Sequence, residues 1–175
     1  MYFDPRSLLF LAANALLLHL MLMLGSALSA CALFPVLLGP MIVFPALYMR
    51  HSACFLCTLG TGLWVDAALP VPFGLITALF LCSAATVFTL RKRFRAEENL
   101  HPALLAHAAN LTAVIALAAV SAETAHPFDF WMQTALCAGI SHLLLLAAAP
   151  WFFDLQRLLL EILRLDTKPE DLPLL

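Results

Sequence analysis

Apolar residues along this chain gather into long blocks that are separated by short polar or proline-containing stretches. A bilayer's hydrocarbon core is about 30 Å thick, and a helix needs roughly 20 mostly apolar residues to cross it. Six blocks meet or approach that length, so the pattern predicts an all-α integral membrane protein built as a six-transmembrane-helix bundle. The predicted spans are residues 7–25, 34–49, 52–68, 73–90, 101–121 and 130–152.

Prolines interrupt the second block, at Pro35, Pro40 and Pro45. Proline removes a backbone donor from a helix, but membrane helices tolerate it where neighbouring groups satisfy the freed carbonyl. We therefore expect residues 26–38 to be partly irregular and a helix to begin near Pro40.

Composition supports a protein that faces lipid, since 63% of the residues are hydrophobic and only 11% are charged. Soluble domains average about 45–50% apolar and about 25% charged residues. The net charge is −2 with nine Lys and Arg residues, which leaves no basic stripe for nucleic acid. A nucleic-acid partner is therefore not expected.

The basic residues all fall on one side of the six-span arrangement. The connections near 26–33, 67–72 and 122–129 carry no Lys or Arg, whereas the other connections and both ends do. Lys and Arg near membrane ends mark the cytoplasmic side, so both termini are predicted to be cytoplasmic. The basic residues are Arg6, Arg50, the predicted loop residues Arg91, Lys92, Arg93 and Arg95, and then Arg157, Arg164 and Lys168.

The N-terminal block permits a second interpretation. Arg6, the apolar run from Leu8 to Leu24 and the "LSAC" ending at Cys31 also have the form of a bacterial lipoprotein signal, in which the cysteine is lipidated after cleavage. The run is longer than a typical signal core, which favours a first span.

Two of the five cysteines, Cys54 and Cys57, have a CxxC spacing. In soluble proteins this spacing indicates redox chemistry or half of a zinc site. The chain has no second pair and no thioredoxin-like context, so we interpret both as small side chains that fill a helix interface. No cofactor and no metal site are predicted.

Several polar residues lie inside predicted spans, where such residues are functional candidates. They either line one polar seam within the bundle or each bond a neighbouring helix separately. They have no acids nearby in the spans, which argues against a proton relay. These residues are Asn14, His19, His107, Asn110 and His142.

The connection "ETAHPFD" carries Glu123, His126 and Asp129, three residue types that ligate metals. Loops collect polar residues in any case, so a solvated loop is the favoured interpretation.

Signatures of membrane enzymes are absent from the sequence. It has no GxSxG, GxxxxGK[ST] or HExxH motif and no close run of aspartates. Catalysis normally needs two acids, or an acid and a base, at one depth, but Asp66 is the only acid between Asp4 and Glu97. We predict no enzyme and no catalytic residue.

The fifth span, in "HPALLAHAANLTAVIALAAV", is rich in alanine at steps of three and four residues. Small residues at this spacing allow close helix approach in lipid. This helix is expected at the centre of the bundle or at a tight interface with a partner.

After Pro150 the sequence "DLQRLLLEILRL" places Asp154, Arg157, Glu161 and Arg164 on one helical face and leucines on the other. Such a helix lies on the membrane surface, extends helix six or docks on a partner. We predict a membrane domain over 1–153, and over 154–175 an amphipathic cytoplasmic helix with a disordered tail.

The stretch "GLWVDAALPVPFG" contains Gly62, Asp66 and Gly74. This pattern of G-x-x-x-D, a short turn and a glycine resembles the central motif of the MreD family of bacterial rod shape-determining membrane proteins. Pro40, the turn at Arg50 and the "RKRFR" stretch fit the same layout over roughly residues 38–95. The turn departs from the family pattern, because prolines stand at Pro70 and Pro72 where Gly or Ser is usual.

The resemblance implies a non-enzymatic part of the cell-elongation machinery, with the one-pass periplasmic scaffold MreC as partner. It also implies an association with the MreB filament and with the RodA and penicillin-binding-protein pair that makes sidewall peptidoglycan. The MreD fold is similar to the substrate-capture subunits of vitamin transporters, so a substrate-binding transport subunit is the alternative. That alternative predicts a polar outward pocket, for which Asp66, Gln133 and the 123–129 loop are candidates.

Asp66 lies about 21 Å along its helix from the cytoplasmic edge, near the outer interface. There it can accept hydrogen bonds from free N–H groups at the start of helix four, where the helix dipole favours an anion. Direct contact with a partner is the other role, and the first is favoured because a carboxylate at a helix start has a ready use.

Overall fold

The structure is a computed structural model that describes residues 5–94, 100–122, 127–163 and 165. Those residues form α-helices with no strand, which confirms the all-α prediction. A single 3-10 turn, Ser29–Cys31, follows the first helix. The helices are α1 (Pro5–Leu28), α2 (Gly39–Tyr48), α3 (His51–Ala68), α4 (Leu75–Phe94), α5 (Leu100–Ser121) and α6 (Pro127–Ile162).

Within the described chain, three helical stretches are long and apolar enough to cross a membrane: Pro5–Cys31, Pro102–Ser121 and Pro127–Ile162. Two shorter apolar stretches, Gly39–Tyr48 and Leu75–Arg91, accompany them. Their length and composition give the protein its membrane character, and the count of six crossings stays a prediction.

The short helix α2 is at the centre of the bundle. The other five helices form a ring around it, in the order α1, α3, α4, α5, α6 and back to α1, and α2 contacts each of them. Every residue from Gly39 to Leu47 is buried. A helix that is apolar on all sides belongs inside, and α2 has that property. The alanine-rich α5 is therefore not the central helix, as one of the two predictions for it had it, but packs closely against α2, and its predicted interface with a partner stays a prediction.

The segment before α2 is irregular, as expected from its prolines, and Pro40 stands in the first turn of the helix. The second helix thus begins at Gly39, five residues after the predicted start of the span at 34. Its ten residues measure about 15 Å, half the thickness of a bilayer core. Val36, Leu37 and Leu38 are buried despite their irregular backbone, which must therefore be hydrogen-bonded by other parts of the protein.

The fourth helix begins and ends later than predicted. It starts at Leu75 because Gly74 has a φ of +95°, which no right-handed helix contains. It continues through Arg91, Lys92 and Arg93 to Phe94, so the prediction of a loop at these basic residues was wrong. Lys and Arg are good helix formers, which lets a helix continue beyond its apolar part. Arg95 lies outside the described residues.

The sixth helix runs without a break through Pro150 to Ile162. Its 36 residues span about 54 Å, well beyond the roughly 30 Å that a membrane crossing needs. The amphipathic segment therefore extends helix six, one of the three placements considered, and residue 154 is not an element boundary. The predicted disordered tail falls on residues 166–175, outside the described part.

Arginines gather at one end of the bundle. Arg91 donates to the Met49 carbonyl beside Arg50, and Arg157 donates to the Tyr48 hydroxyl at 3.4 Å. Arg6 joins the same end, because it lies one turn before Phe10, which packs against Phe44 with ring centroids 5.5 Å apart. The connections between α1 and α2 and between α3 and α4 are at the opposite end.

Candidate functional site

The carboxylate of Asp66, near the end of α3, binds the first turn of α4. Its Oδ1 accepts a hydrogen bond from the backbone N–H of Ile76 at 2.9 Å. Its Oδ2 accepts bonds from the N–H of Thr77 at 3.0 Å and from the Thr77 hydroxyl at 2.5 Å. The first N–H groups of a helix have no partner within it, so this side chain from another helix satisfies two of them. The predicted hydrogen-bonding role of Asp66 is confirmed.

Gly62, one turn before Asp66, allows α3 and α4 to approach closely. A Cβ added to Gly62 would lie 2.7 Å from the Thr77 Cα and 3.0 Å from its Oγ1. The backbones therefore meet at the residue that Asp66 binds. Close approach at Gly62 brings the start of α4 within reach of the carboxylate.

Gly74 supplies the backbone conformation that turns the chain into α4. Its φ of +95° lies in the left-handed region that glycine adopts without strain. The N–H of Leu75 donates to the carbonyl of Pro72 at 3.1 Å, which closes a four-residue turn with Gly74 at its third position. Pro70 and Pro72 fix φ on the way into this turn and limit its freedom.

Burial distinguishes Asp66 from the tip of its hairpin. Asp66 is 3% exposed, whereas Phe73 is 72% exposed, with Pro70 and Pro72 also exposed. A partner that approaches this end meets the proline and phenylalanine side chains, and the carboxylate is already occupied by α4.

Asn110 on α5 performs the corresponding role at the start of α2. Its Oδ1 accepts bonds from the N–H groups of Leu38 at 2.9 Å and Gly39 at 3.3 Å. Ser141 on α6 bonds the irregular segment before α2, since its Oγ accepts the Val36 N–H at 2.8 Å. The irregular backbone is thus hydrogen-bonded by side chains of other helices, as buried membrane backbone requires.

Asn14 on α1 donates a hydrogen bond to the backbone carbonyl that Pro45 leaves without a donor within α2. Proline at position 45 has no N–H for the carbonyl of Met41, one turn earlier. The Nδ2 of Asn14 donates to that carbonyl at 3.1 Å and also to the Thr61 hydroxyl at 3.0 Å. The expectation that a neighbour satisfies a proline-freed carbonyl is confirmed at this position.

Arg91 closes the other end of α2. It is 8% exposed, donates from Nη1 to the carbonyl of Met49 at 3.1 Å, and stacks over the Phe88 ring at 3.9 Å. Met49 directly follows α2, where carbonyls lack helical partners. A residue predicted as part of a cytoplasmic basic loop therefore serves as a structural cap. The sequence feature that could have indicated this role is the position of Arg91 directly after an apolar run.

The polar residues inside the spans do not form one seam. Asn14 and Asn110 each bond α2, while His107 and His142 bond each other across α5 and α6 with Nδ1 atoms 2.9 Å apart. His19 is exposed and belongs to neither group. The alternative of separate contacts with neighbouring helices is confirmed for Asn14 and Asn110, whereas the two histidines pair with each other and His19 fits neither alternative.

The two cysteines of the CxxC pair are buried and form no disulfide. Cys54 is 4% and Cys57 is 2% exposed, and both belong to the hydrophobic core. This agrees with their interpretation as small side chains at a helix interface. Cys31, the lipidation candidate, is exposed at the end of the 3-10 turn.

A cavity of about 560 Å³ lies at the end of the bundle opposite Arg91 and Arg157, between α5, α6 and the irregular segment before α2. Asp129 and Gln133, both predicted candidates of an outward pocket, line it, and Asp66 does not. Most of its wall is apolar, formed by side chains such as Val114, Leu117 and Phe130.

The predicted metal-ligand trio is only partly described, because Glu123 and His126 fall outside the described residues. Asp129 is exposed in the first turn of α6. Among residues with a described position, His, Cys, Asp and Glu form no group of three that is suited to a metal ion.

Comparison of the chain with protein-family models, with curated proteins and with solved structures finds no match.

Proposed function

We propose that this chain is a non-enzymatic membrane scaffold of the bacterial cell-elongation machinery, which controls rod shape and sidewall peptidoglycan synthesis through protein partners. The hairpin of α3 and α4 carries the proposal. Gly62, Asp66 and Gly74 are the residues by which the sequence resembles the MreD family, and each has its own task in this hairpin. All three motif residues act in the same hairpin. Such a match is less expected by chance than three matching residues with unrelated positions in an apolar sequence.

In this proposal the chain crosses the bacterial cytoplasmic membrane six times, with both termini in the cytoplasm. The arginine end of the bundle supports that orientation, because Lys and Arg mark the cytoplasmic side. The buried segment before α2 adds length to a helix that is too short to cross alone. Irregular backbone is tolerated at membrane depth where protein buries and bonds it, as Asn110 and Ser141 do here.

The proposed partner on the periplasmic side is an MreC-like scaffold, with the MreB filament, RodA and a penicillin-binding protein in the same assembly. Phe73 is an exposed apolar side chain on a turn that Pro70 and Pro72 make rigid, and we propose that it contacts this partner. Rigid exposed aromatic residues are common anchors at protein interfaces, because they lose little conformational entropy on binding. Asp66 contributes by fixing the start of α4, and with it the turn that carries Phe73.

Depletion of the protein in its native bacterium tests the function. We expect cells to round and swell, with wild-type chain expressed in trans restoring rods. Copurification with an MreC-like partner from the restored strain is the biochemical counterpart. Rod-shaped depleted cells that instead acquire a nutrient requirement would refute the scaffold.

A substrate-binding transport subunit is the second candidate, and the cavity between α5 and α6 is the observation in its favour. Its lining is mainly apolar, and Asp66 is engaged with α4, so the convergent polar groups expected for a water-soluble vitamin are few. Saturable binding of such a vitamin to the purified protein would support this candidate.

A further inference from the structure

The cavity between α5 and α6 has the form of a ligand site. Its volume of about 560 Å³ lies within the range of about 300–1,000 Å³ that is usual for small-molecule sites. Phe34 of the irregular segment and Phe130 of α6 contribute aromatic walls, while Val114 and Leu117 contribute aliphatic ones. Nothing in the proposed scaffold function uses this space.

The polar groups of the cavity are mostly hydrogen-bond acceptors. Gln133 donates through Nε2 to the carbonyl of Ala32, which leaves its Oε1 as an acceptor. Thr134 donates its hydroxyl proton to the carbonyl of Phe130 at 2.9 Å, which leaves its lone pairs. Asp129 adds an acceptor-only carboxylate, and Ser121 a hydroxyl that can donate or accept. A ligand that complements this set brings N–H or O–H donors.

The distribution of charged residues also favours a ligand with hydrogen-bond donors. The arginines with described side chains, Arg6, Arg50, Arg91 and Arg157, belong to the opposite end of the bundle. Asp129 therefore has no Lys or Arg beside it among the described residues, and a cationic donor is the natural counterpart of its carboxylate. The dipole at the start of α6 places partial positive charge in the same turn, which favours an anionic group next to that cation.

The apolar lining and its surroundings indicate that the ligand comes from the membrane. Ile115 on α5 and Leu136 on α6 are next in sequence to lining residues of the cavity and are more than half exposed, as expected of side chains that face acyl chains. We propose that the cavity binds a zwitterionic aminophospholipid of the phosphatidylethanolamine type. An acyl chain lies against the apolar wall, the ammonium bonds Asp129 and Gln133, and the phosphate lies near the start of α6.

Native mass spectrometry of the full chain, released from nanodiscs of equal phosphatidylethanolamine, phosphatidylcholine and phosphatidylglycerol, tests the proposal. We expect selective retention of phosphatidylethanolamine, by about tenfold over phosphatidylcholine, because the quaternary head has the same charge and no N–H donor. The mono- and dimethylated lipids should fall between the two in order of their remaining donors.

Matched variants separate this site from unspecific lipid. Asp129→Asn should remove most of the selectivity, whereas Asp154→Asn, an exposed acid at the other end of the same helix, should not. Ala138→Phe should lower total retention by filling the cavity, and thermal unfolding of both cavity variants checks that they fold.

Equal retention of the three lipids, preference for phosphatidylglycerol, or unchanged selectivity in Asp129→Asn would overturn the proposal. The proposal would also be overturned if the chain bound free octylamine in phosphatidylcholine nanodiscs but did not selectively retain phosphatidylethanolamine. The scaffold function is tested separately, by the shape of depleted cells and by copurification with the partner.

Discussion

Asp66 and Thr77 join the end of α3 to the start of α4 through two hydrogen bonds to one carboxylate oxygen, from the Thr77 N–H at 3.0 Å and from its hydroxyl at 2.5 Å. The other oxygen holds Ile76 at 2.9 Å. Because both oxygens accept, a neutral amide can replace only part of this arrangement. The hairpin therefore depends on a carboxylate and not merely on a polar side chain.

Replacement of Asp66 should destabilise the protein in a graded way. Asp66→Ala leaves buried N–H groups without acceptors and should cost about 2–4 kcal/mol, whereas Asp66→Asn keeps one acceptor and should cost about 1–2 kcal/mol. Unfolding of the purified protein in a mild detergent measures both. Asp154→Asn on the exposed face of α6 is the matched control, and an Asp66→Ala protein as stable as that control would contradict the cap.

Gly62→Ala should destabilise the protein by about 2 kcal/mol or more, because the new Cβ would stand 2.7 Å from the Thr77 backbone and push α3 from α4. Gly139→Ala on α6 is its control, since a Cβ there meets nothing within 4 Å. In the helix interior that control should be neutral or gain up to about 1 kcal/mol. Similar unfolding midpoints for the two variants would argue against close packing at Gly62.

Asn110→Ala should loosen the start of α2. The N–H groups of Leu38 and Gly39 would lose their acceptor inside the bundle, at a cost of about 1–3 kcal/mol. Hydrogen exchange at residues 36–41 should rise more than elsewhere in the chain. Thr112→Ala, which removes only an exposed bond within α5, should leave that exchange unchanged.

Thiol labelling tests the proposed orientation. With the other cysteines replaced, Cys31, at the end opposite the described arginines, should react with a membrane-impermeant maleimide in intact spheroplasts. A cysteine introduced by Ser52→Cys at the arginine end should react only after the membrane is permeabilised. The reverse pattern would contradict cytoplasmic termini. An unreactive Cys31 together with a net loss of mass, from removal of residues 1–30 and addition of lipid, would instead indicate lipidation.

Phe73→Ser separates binding from folding, on the assumption that the scaffold proposal holds. Phe73 is 72% exposed, so its loss should leave the unfolding midpoint within about 0.5 kcal/mol of wild type. Copurification with the MreC-like partner should fall several-fold. Phe128→Ser on α6, at a residue 74% exposed, is the control, and equal partner recovery from both variants would remove the hairpin tip from the interface.

Local sequence features predicted the parts of this protein that depend on neighbours along the chain. Runs of apolar residues indicated helices, the prolines around Pro40 indicated an irregular approach to α2, and an acid before a short turn indicated a cap for α4. In each case the groups involved lie close along the chain, Ile76 being 10 residues after Asp66, so one short stretch of sequence contains both the unsatisfied groups and the residue that satisfies them.

Tertiary structure decided what depends on residues far apart in sequence. The central place of α2, the bond of Asn14 to the Met41 carbonyl and the cap that Asn110 makes all join different helices. In lipid both the packed and the exposed sides of a helix are apolar, so hydropathy does not reveal which side faces a neighbour. The sequence by itself determined that Pro45 needs a donor for its freed carbonyl, and only the packing of α1 against α2 decided that the donor is Asn14.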